Sequence, residues 1–373
     1  MQAVKLLAHH QYWIAVLGQG RPIAFRDRDV KSCSSQTSAQ RRLRSLPSRW
    51  RGGKRYRSCG LSAYATTSRP ATTLGTPPST PSPPSNPAPA PPSPPSPPSP
   101  SPTQTNCVST PSVCGYPDST NSGVPAATSL TARSGDMTVS TPGAVISNLN
   151  LTNGTITVTA NNVTIKDSVI TTGNAQLNGE AAIDIKEGVT GTLVQYVTMQ
   201  GNDCQSHSLF AGVMNEGGDG LVMDHDYGTC LDDILHGSGT LSNSYSIDNA
   251  NIPGDHYEPV SDDGGNGSLT INHDTLLNPH DQTAAVFTQC TFGDVTALTI
   301  QNSLLAGGDY AIYGPLSDPC SNGGGTESIT GNRFSTTYFP KGGQYGVAID
   351  LAKSVVWSNN YWDTTLKQIP KPS

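Results

Sequence analysis

A repeat between residues 163 and 360 constrains the fold more than any other feature of this chain. Short segments with the pattern apolar, Thr, apolar, polar, polar recur there. Their apolar anchors are Ile165, Val194, Met223, Leu241, Ile271, Ile300, Ile329 and Val356, spaced by 29, 29, 18, 30, 29, 29 and 27 residues. A period in this range is typical of solenoids, in which each turn of chain packs on the turn before it.

A second series of anchors lies between the members of the first. It consists of Ile183, Val213, Ile234, Val260, Val286, Ile312 and Ile349. Short β-branched runs separated by Gly, Asn and Asp favour strands over helices. The two interleaved series therefore predict an all-β fold, a parallel β-helix with one turn of chain per repeat. A β-sandwich would not keep two strand series in step over seven turns.

Composition divides the chain into three parts. Residues 1–69 contain 14 Lys and Arg but 2 Asp and Glu, residues 70–106 are uncharged, and residues 107–373 contain 8 basic and 26 acidic residues. The middle part has 16 Pro in 37 residues, which is typical of an extended polyproline II linker. We expect the β-helix domain to occupy residues 107–373.

The basic part, residues 1–69, has little apolar periodicity and few acidic partners, so we expect it to be disordered. One interpretation is a nucleic-acid-binding arm, and the one we prefer is a segment outside the working protein, such as a mispredicted start. Its first residues are a poor match to a secretion signal. No stretch of the chain is long and apolar enough to span a membrane.

The cysteines suggest local disulfides rather than a disulfide scaffold. The register predicts three pairs, Cys107 with Cys114, Cys204 with Cys230, and Cys290 with Cys320, while Cys33 and Cys59 lie in the basic part. Together with the Pro-rich linker and a surface rich in Thr, Asn and Gly, these pairs favour an extracellular, secreted protein.

Polar residues recur two and three positions after the first-series anchors. Two positions after them stand Asp167, His225, Asn243, His273 and Asn302, and one place later stand Ser168, Asp226, Ser244, Asp274 and Ser303. In a stacked coil such residues lie over one another and hydrogen-bond along the stack. We therefore interpret the histidines and aspartates of both sets as structural rather than catalytic.

Acidic residues around the second anchor series are harder to explain structurally. Setting Ile234 level with Val260 places Asp232 beside Glu258, Asp233 beside Pro259, and His236 beside Asp262. Other turns have mostly Ala, Gly or apolar residues at these positions. Carboxylates repel one another on strands that are only about 4.8 Å apart, so the fold does not need this arrangement. The cluster also adjoins the short 18-residue turn, which we expect to leave a notch.

Three uses of this cluster stay open at the level of sequence. Asp233 and Glu258 could be the acid and base of glycoside hydrolysis, with Asp232 in support and His256 in proton transfer. Alternatively Asp232, Asp262 and Asp263, with neighbouring carboxylates, could bind Ca²⁺. The third interpretation is a solvated acidic edge without a ligand.

The charge pattern restricts the partner. From Glu187 to Asn332 the sequence contains no Lys or Arg, but it contains 19 Asp and Glu. Nucleic acid is therefore disfavoured, because phosphates require cations. Cleavage of a uronic-acid polymer by β-elimination needs a cation and a base, and only His256, His280 or Tyr257 could act as that base. A neutral polysaccharide is the partner that this pattern favours.

Aromatic residues near the cluster could contact sugar rings. Phe287 and Tyr313 each follow a second-series anchor, so we expect both to point outward beside the acidic residues. Tyr257, His280 and Asp281 complete the predicted substrate-binding set.

The chain resembles a known group of proteins over about residues 107–365. The stretches CGYPDSTNSGVPAAT, SGDMTVSTPGAVISNLNLTNGTITVTANNVTIKDSVI, NPHDQTAAVF and NRFSTTYFPKGGQYG are similar to secreted bacterial proteins with right-handed parallel β-helix repeats, of the pectin-lyase-like superfamily. The resemblance implies a right-handed coil and relatives that act on polysaccharides.

The motifs of that superfamily are only partly present. Its polygalacturonase-type hydrolases place an Asp-Asp pair one turn before a His, as Asp232-Asp233 precede His256 here. Their Gly-His-Gly is replaced by Asp255-His256-Tyr257, and their Arg-x-Lys has no match. The Arg or Lys base of pectate lyases is also missing.

Together these observations predict a secreted monomer that cleaves glycosidic bonds of a polysaccharide. The alternatives are a Ca²⁺-dependent polysaccharide lyase with His256 or Tyr257 as base, and a non-catalytic glycan-binding or cell-wall-binding module.

Overall fold

A computed structural model of the chain describes residues 106–173, 181–206, 208–217, 220–250, 256–265, 267–318 and 320–372, and the backbone of two strands nearer the N terminus. The chain forms two compact units, Met1–Pro92 and Ser93–Ser373. The first unit contains an antiparallel pair, β1 Ser35–Ser38 and β2 Gly52–Tyr56. The predicted linker, residues 70–106, lies outside the described residues except for Asn106, as do Cys33 and Cys59.

The second unit is a parallel β-helix whose described strands form three faces. Face 1 contains β5 Val145–Ser147, the first halves of β8 Thr164–Thr171 and β10 Leu193–Gln200, β12 Val222–Asp224, β15 Gly239–Ser242, β18 Ser268–Asn272, β21 Ala297–Gln301, β24 Thr326–Thr330 and β27 Val356–Ser358. Face 2 contains β3 Thr131–Ser134, β6 Leu149–Thr152, the second halves of β8 and β10, β13 Tyr227–Thr229, β16 Tyr245–Ile247, β19 Thr275–Asn278, β22 Leu304–Gly307, β25 Arg333–Phe334 and β28 Tyr361–Trp362. Face 3 contains β4 Met137–Val139, β7 Ile156–Val158, β9 Ala181–Ile185, β11 Leu209–Asn215, β14 Leu231–His236, β17 Val260–Asp262, β20 Val286–Thr288, β23 Tyr310–Tyr313 and β26 Gly346–Ile349.

Each turn of chain visits the faces in the order 1, 2, 3. Faces 1 and 2 belong to one hydrogen-bonded sheet because β8 and β10 run through the corner between them. The helices of the described residues are three short 3₁₀ turns, Cys107–Ser109, Pro111–Cys114 and Pro315–Ser317. In this part of the chain we find no helix with the length and apolar character needed to cross a membrane.

The first anchor series is confirmed from Ile165 to Ile329, because each of these residues pairs with the next along face 1. Its last member is wrong by one position. Ile329 pairs with Trp357, whereas Val356 is 56% exposed. The Trp357 side chain packs against the core, and its indole N–H donates to the Ile369 carbonyl.

The second series is confirmed where Ile183 meets Val213, and from Val260 to Ile312. At the short turn it is wrong by one position, because Leu235 rather than Ile234 pairs with both Val213 and Val260. At the end of face 3, Ala348 rather than Ile349 pairs with Ile312. Ile234 and Leu235 are both fully buried, so the apolar pattern did not distinguish them.

The core is a continuous apolar stack along the inside of the coil. Each turn contributes inward apolar residues from face 1, such as Ile165, Val194 and Ile271, and others from the two remaining faces. These side chains are removed from water, and each contributes about 1.5–3 kcal/mol of transfer free energy. The stack holds the faces in register, which fixes the positions of outward residues on successive turns.

The corner between faces 1 and 2 is built from residues in the left-handed conformation. This corner column consists of Asn148, Asp167, Tyr196, His225, Asn243, His273, Asn302 and Asn359, with φ between 48° and 61°. Asn, Asp and His adopt this conformation more readily than most residues. The predicted stacking is confirmed where the side chains of His273 and Asn243, on consecutive turns, are joined by a hydrogen bond. Asn243 also donates to Asp224 of face 1.

The next residues along the chain form a fully buried polar column. Its members are Ser168, Asp226, Ser244, Asp274, Ser303, Asn332 and Asn360. Each side chain accepts a backbone N–H from the preceding turn, as when Asp274 Oδ1 accepts from Ser244 N at 2.7 Å. Burial raises the pKa values of Asp226 and Asp274 well above their ordinary range. The prediction that both aspartates are structural is consistent with this column.

Residues 106–124, which we call the N-terminal strap, run along this corner and the outer side of face 2. At one end Cys107 N donates to Asp363 Oδ2 in the last turn, at 2.7 Å. At the other end Val124 N donates to Thr198 Oγ1 in β10, at 3.0 Å. The strap therefore connects the final turn of the β-helix with one of its early turns.

The three predicted disulfides, Cys107–Cys114, Cys204–Cys230 and Cys290–Cys320, are confirmed. The first closes a loop within the strap. The second and third join consecutive turns, where they tie connecting segments to the coil. Three disulfides in one domain are compatible with an oxidising, extracellular environment.

Candidate functional site

The predicted acidic cluster lies on face 3 at the short turn. Met223 and Leu241 pair across this turn, which confirms its length of 18 residues. Only Cys230 separates β13 from β14, whereas longer segments, 201–208 and 248–259, precede β11 and β17 in the flanking turns. Asp232 and Asp233 therefore lie near the start of β14, in a turn that lacks the connecting loop found in both flanking turns.

The corrected register changes which carboxylates are neighbours. Leu235 pairs with Val260, and Ile234 N donates to Pro259 O at 2.7 Å, so Glu258 lies level with Asp233. The predicted pairing of Asp232 with Glu258 and of Asp233 with Pro259 is therefore wrong by one position. Asp232 still contacts this segment, because its Oδ1 accepts the Glu258 N–H at 3.2 Å.

His236 is paired with Ser261, rather than with Asp262 as predicted. Its Nδ1 lies 2.8 Å from Asp233 Oδ2 and 2.8 Å from Ser261 Oγ. Burial alone would lower the pKa of His236, but the hydrogen bond and charge of Asp233, with the charges of Asp263 and Asp262, raise it to about 9. At neutral pH the pair is therefore an imidazolium and a carboxylate.

This arrangement differs from a serine nucleophile triad. In such a triad the serine and the carboxylate contact opposite nitrogens of the imidazole, so that a proton can pass between them. Here Ser261 and Asp233 contact the same nitrogen. The protonated ring donates from Nδ1, and Ser261 is not activated as a nucleophile.

Sequence analysis missed His236 and Ser261 as site residues. Residues three apart on a regular strand point to opposite faces, so Asp233 and His236 are not expected to meet. They meet because Ile234 and Leu235 are both packed in the core, which interrupts the alternation of β14. The adjacent buried pair in the run Asp-Asp-Ile-Leu-His was the available signal.

Asp262 and Asp263 lie at the end of β17 on the far side of His236. Asp262 is fully buried, and it accepts hydrogen bonds from Ser238 Oγ and from Gly264 N, each at 3.0 Å. Burial raises the pKa of Asp262, although these hydrogen bonds oppose the rise. Asp263 Oδ1 accepts a hydrogen bond from Gln289, and its Oδ2 lies 4.0 Å from His236 Nε2.

These carboxylates do not form a metal cage. Among the described residues, the one group with three ligand atoms within 4.8 Å of one another is Cys290, Asp294 and Cys320. Its two cysteines are joined in a disulfide and supply no thiolate. The oxygens of Asp232, Asp262 and Asp263, predicted as Ca²⁺ ligands, are not gathered to that distance, so we derive no step through a metal.

The carboxylates at the centre of the cluster are almost inaccessible. Asp232 and Asp233 are each 1% exposed, and Glu258 is 8% exposed. The His236 side chain, 24% exposed, is the part of the cluster that solvent reaches most readily. Access to the cluster therefore passes beside His236.

An aromatic group continues the same outward column on the following turns. Phe287 pairs with Ser261 on one side and with Tyr313 on the other. The Phe287 and Tyr313 rings meet edge to face, with their centroids 5.7 Å apart. The centroid of the Tyr310 ring lies 5.4 Å from that of Tyr313 and 5.9 Å from that of Tyr345. The predicted outward position of Phe287 and Tyr313 agrees with this arrangement.

Two features favour a solvent-facing role for the aromatic group. Tyr345 is 55% exposed, and Tyr310 pairs with Gly346, where an added Cβ would lie 3.1 Å from the Tyr310 ring. The glycine leaves room for the ring to lie over the strand. Burial raises the pKa of Tyr313 to about 12, so its hydroxyl stays protonated and can donate.

Tyr257 and His280 form a separate stacked pair, with ring centroids 4.0 Å apart. Burial lowers the pKa of His280, so its ring is neutral at physiological pH, and its Nε2 lies 4.0 Å from Asp248 Oδ1. His256 and Asp281 are exposed. The predicted residues therefore divide into a buried acidic cluster and a more accessible surface around it. Asp255 lies outside the described residues.

Comparisons with protein-family models, with characterised proteins and with solved structures find no match to this chain.

Proposed function

We propose that this chain is a secreted glycan-binding protein that holds a neutral polysaccharide against the outer side of face 3. The observation that supports this proposal most directly is an aromatic group on consecutive turns, which consists of Phe287, Tyr310, Tyr313 and Tyr345. Aromatic rings provide flat apolar surfaces, and tyrosine adds a hydroxyl that can bond a sugar. The sequence resemblance to pectin-lyase-like proteins supports a polysaccharide partner.

Charge supports a neutral rather than an anionic glycan. The turns between Glu187 and Asn332 have no Lys or Arg. His236 is a cation, but Asp233, Asp262 and Asp263 surround it. A uronic-acid polymer would therefore meet net negative charge along this face, whereas a neutral polymer would not.

Binding is tested by affinity electrophoresis of the full chain through gels containing individual neutral or anionic polysaccharides. We expect retardation by a neutral glycan, and loss of retardation in a Phe287→Ala, Tyr313→Ala double variant. Tyr196→Asn is the matched control, because Tyr196 is an aromatic of the corner column and Asn tolerates its left-handed conformation. Retardation that survives the double variant, or that is lost equally in the control, contradicts the proposal.

A second candidate function is hydrolysis of the bound glycan by Asp233 and Glu258. The observation that favours it is that Glu258, just before β17, lies level with Asp233 on the neighbouring turn, and adjacent strands of a parallel coil are roughly 4.8 Å apart. A carboxylate separation near 5 Å suits a retaining mechanism. Asp233, ionised against His236, would attack the anomeric carbon of a sugar that enters beside His236, and Glu258 would protonate the leaving oxygen as the glycosidic bond breaks. Glu258 would then take a proton from the water that releases the sugar from Asp233.

Hydrolysis is tested by incubating the full chain with the same polysaccharides and measuring new reducing ends. Asp233→Asn and Glu258→Gln should each abolish the signal, and Glu187→Gln, an exposed acidic residue, is the control. Ultraviolet absorbance of an unsaturated product, removed by a chelator, would instead indicate the Ca²⁺-dependent lyase. Binding of a glycan without new reducing ends would indicate a non-catalytic glycan-binding module.

A further inference from the structure

The first turn of the β-helix, formed by β3, β4 and β5, is open on its outer side. Each of these strands pairs with a strand of the following turn, β3 with β6, β4 with β7 and β5 with β8. Within the described part of the chain, β4 is the end strand of face 3. An unpaired strand edge presents a row of backbone N–H and C=O groups to another chain.

The middle of β4 presents its backbone to this open edge. Met137 N donates to Thr155 O of the following turn at 2.9 Å. Val139 O accepts from Thr159 N at 3.0 Å. Successive residues of a strand direct their backbone groups to opposite edges. The N–H and C=O of Thr138 therefore face away from the coil, and the residue itself is exposed.

The apolar core reaches solvent at the same end of the coil. Met137, Ala144 and Ile146 pack against the core but are only partly buried, and Val145 beside them is 58% exposed. A solenoid needs its terminal turn covered, because the end of its core otherwise lies in water. The first turn therefore combines apolar surface with an open strand edge.

The opposite end of the coil is closed by its own chain. The segment after β28 folds over the last turn, where Ile369 N donates to Asn360 O at 2.8 Å. The Ile369 carbonyl accepts from the Trp357 indole at 2.9 Å, and Ile369 is 4% exposed. The two ends of the coil thus differ, and the first turn is the one whose core residues stay partly exposed.

Charge allows two copies of the chain to meet at this end. Residues 131–171, which contain the first two turns, carry two basic and two acidic residues and so have no net charge. Residues 187–332 contain 19 Asp and Glu and no Lys or Arg. Identical surfaces of one charge sign repel each other, whereas balanced surfaces do not. A highly charged partner would gain little at the first turn, so the charge pattern favours a second copy.

We propose that the first turn is a self-association surface through which two copies form an end-to-end dimer, in contrast to the monomer predicted from sequence. A twofold axis through the middle of face 3 places β4 of one copy antiparallel to β4 of the other. Thr138 then lies opposite its counterpart, and the two residues exchange two backbone hydrogen bonds. Around the coil, β3 of each copy meets β5 of the other, which covers the exposed apolar residues.

This dimer has a consequence that rests on the proposed glycan function. The twofold axis joins the two copies of face 3 into one continuous sheet and places both aromatic groups on the same side. Two binding surfaces on one rigid body bind a long polymer more tightly than one. The dimer itself does not depend on a glycan, so it is tested without one.

Self-association is tested by sedimentation equilibrium of the full chain over a wide range of concentration. We expect a monomer–dimer equilibrium. Thr138→Pro removes the N–H that faces the open edge, and an edge strand tolerates proline. Its dissociation constant should rise by about tenfold or more, because each dimer loses two hydrogen bonds. A chain that is monomeric at every concentration, or a dimer that the variant does not weaken, would overturn the proposal.

A matched pair of lysine variants locates the interface without altering the backbone. Val145 and Val356 lie at the two ends of one outward column of face 1, and they are 58% and 56% exposed. Val145→Lys adds a like charge to each half of the interface and should weaken the dimer. Val356→Lys should leave the dissociation constant unchanged. Equal weakening by both variants would show that the copies associate elsewhere and would contradict the proposal.

Hydrogen exchange of the unmodified chain provides a readout that needs no variant. Peptides covering residues 131–147 should become more protected as the concentration rises, whereas peptides covering residues 346–362 should not change. Protection that rises only in the second group would refute an interface at the first turn. In the variants, unchanged protection of residues 268–305 would show that the coil is still folded.

Discussion

Asp233 and His236 form an ion pair on a single strand, with Oδ2 and Nδ1 separated by 2.8 Å although the residues are three apart in sequence. The pair exists because β14 buries two consecutive residues, Ile234 and Leu235, and thereby turns both polar side chains to the same side. It keeps His236 protonated at neutral pH, and it leads to two of the predictions below.

The first prediction concerns stability in alkali. The pKa of His236 is about 9 in the folded chain, against 6.5 for an ordinary histidine. The folded state therefore retains a proton between these values that the unfolded state has lost, so stability is full below pH 6.5 and falls as pH rises through about 9. The loss is about 3 kcal/mol at 1.36 kcal/mol per pKa unit.

Urea denaturation of the wild type and of His236→Gln at pH 6 and pH 9.5 measures this effect. The variant should be less stable at pH 6 and should show a smaller fall with pH. The control is His256→Gln, which replaces an exposed histidine and should keep the wild-type slope. Parallel pH profiles for wild type and His236→Gln would disprove the assignment.

The second prediction concerns the same pair and activity. If neutral-glycan hydrolysis is detected, His236→Gln should lower kcat more than it raises KM, because the imidazolium keeps Asp233 ionised and oriented without touching substrate. The alkaline limb of the wild-type pH profile, near pH 9, should be absent in the variant. A change in KM alone would show that His236 acts in binding instead.

The third prediction concerns Glu327, which occupies an inward position of face 1. It pairs with Leu298, is 4% exposed, and accepts the Ala352 N–H at 2.7 Å. Burial raises its pKa from 4.5 to about 7. The folded state holds a proton that the unfolded state has lost between these values, so stability falls as pH rises through this interval.

Glu327→Gln should remove this fall and should stabilise the chain at pH 8 by up to about 3 kcal/mol, the equivalent of the pKa shift. At pH 4 wild type and variant should have similar urea midpoints. Glu187→Gln, at an exposed acidic position, should change neither value. A variant that is destabilised at pH 8 would contradict this prediction. It would show that the ionised Glu327 carboxylate stabilises the folded state through more than its hydrogen bond to Ala352 N.

The fourth prediction concerns the buried polar column. Asp274→Asn should cost less stability than Asp274→Ala at neutral pH, because its amide oxygen can still accept from Ser244 N, whereas its amide nitrogen cannot accept from Asn272 N. Asp274→Ala should cost about 1–3 kcal/mol, since the Ser244 N–H is then buried without a partner. Equal midpoints for the two variants would contradict this role.

Most of the fold could be predicted because its periodic residues are determined by burial. The inward apolar residue that recurs at one position of every face 1 strand fixes the spacing, so the anchors from Ile165 to Ile329 followed directly from the sequence. The prediction failed where two adjacent residues both enter the core, as Ile234 and Leu235 do, and near the end of the coil, where Trp357 takes the inward position. The one-residue error at β14 changed the predicted neighbours of Asp232 and Asp233.

The site could be predicted less well than the fold. Sequence periodicity located the acidic residues on adjacent turns, but the contact between Asp233 and His236 depends on a local break in strand alternation. The contact of His273 with the N-terminal strap was also hidden. Its place in the corner column followed from register, whereas its contact with Gly115 joins residues 158 apart in the chain.

The short turn at Met223–Leu241 shows that the scaffold is modular. A turn can lose its entire connecting segment between faces 2 and 3 while its anchors stay paired with those above and below. Segments at these positions can therefore be lengthened, trimmed or exchanged one turn at a time without disturbing the coil. Evolution or protein engineering could use this freedom to retune what face 3 recognises.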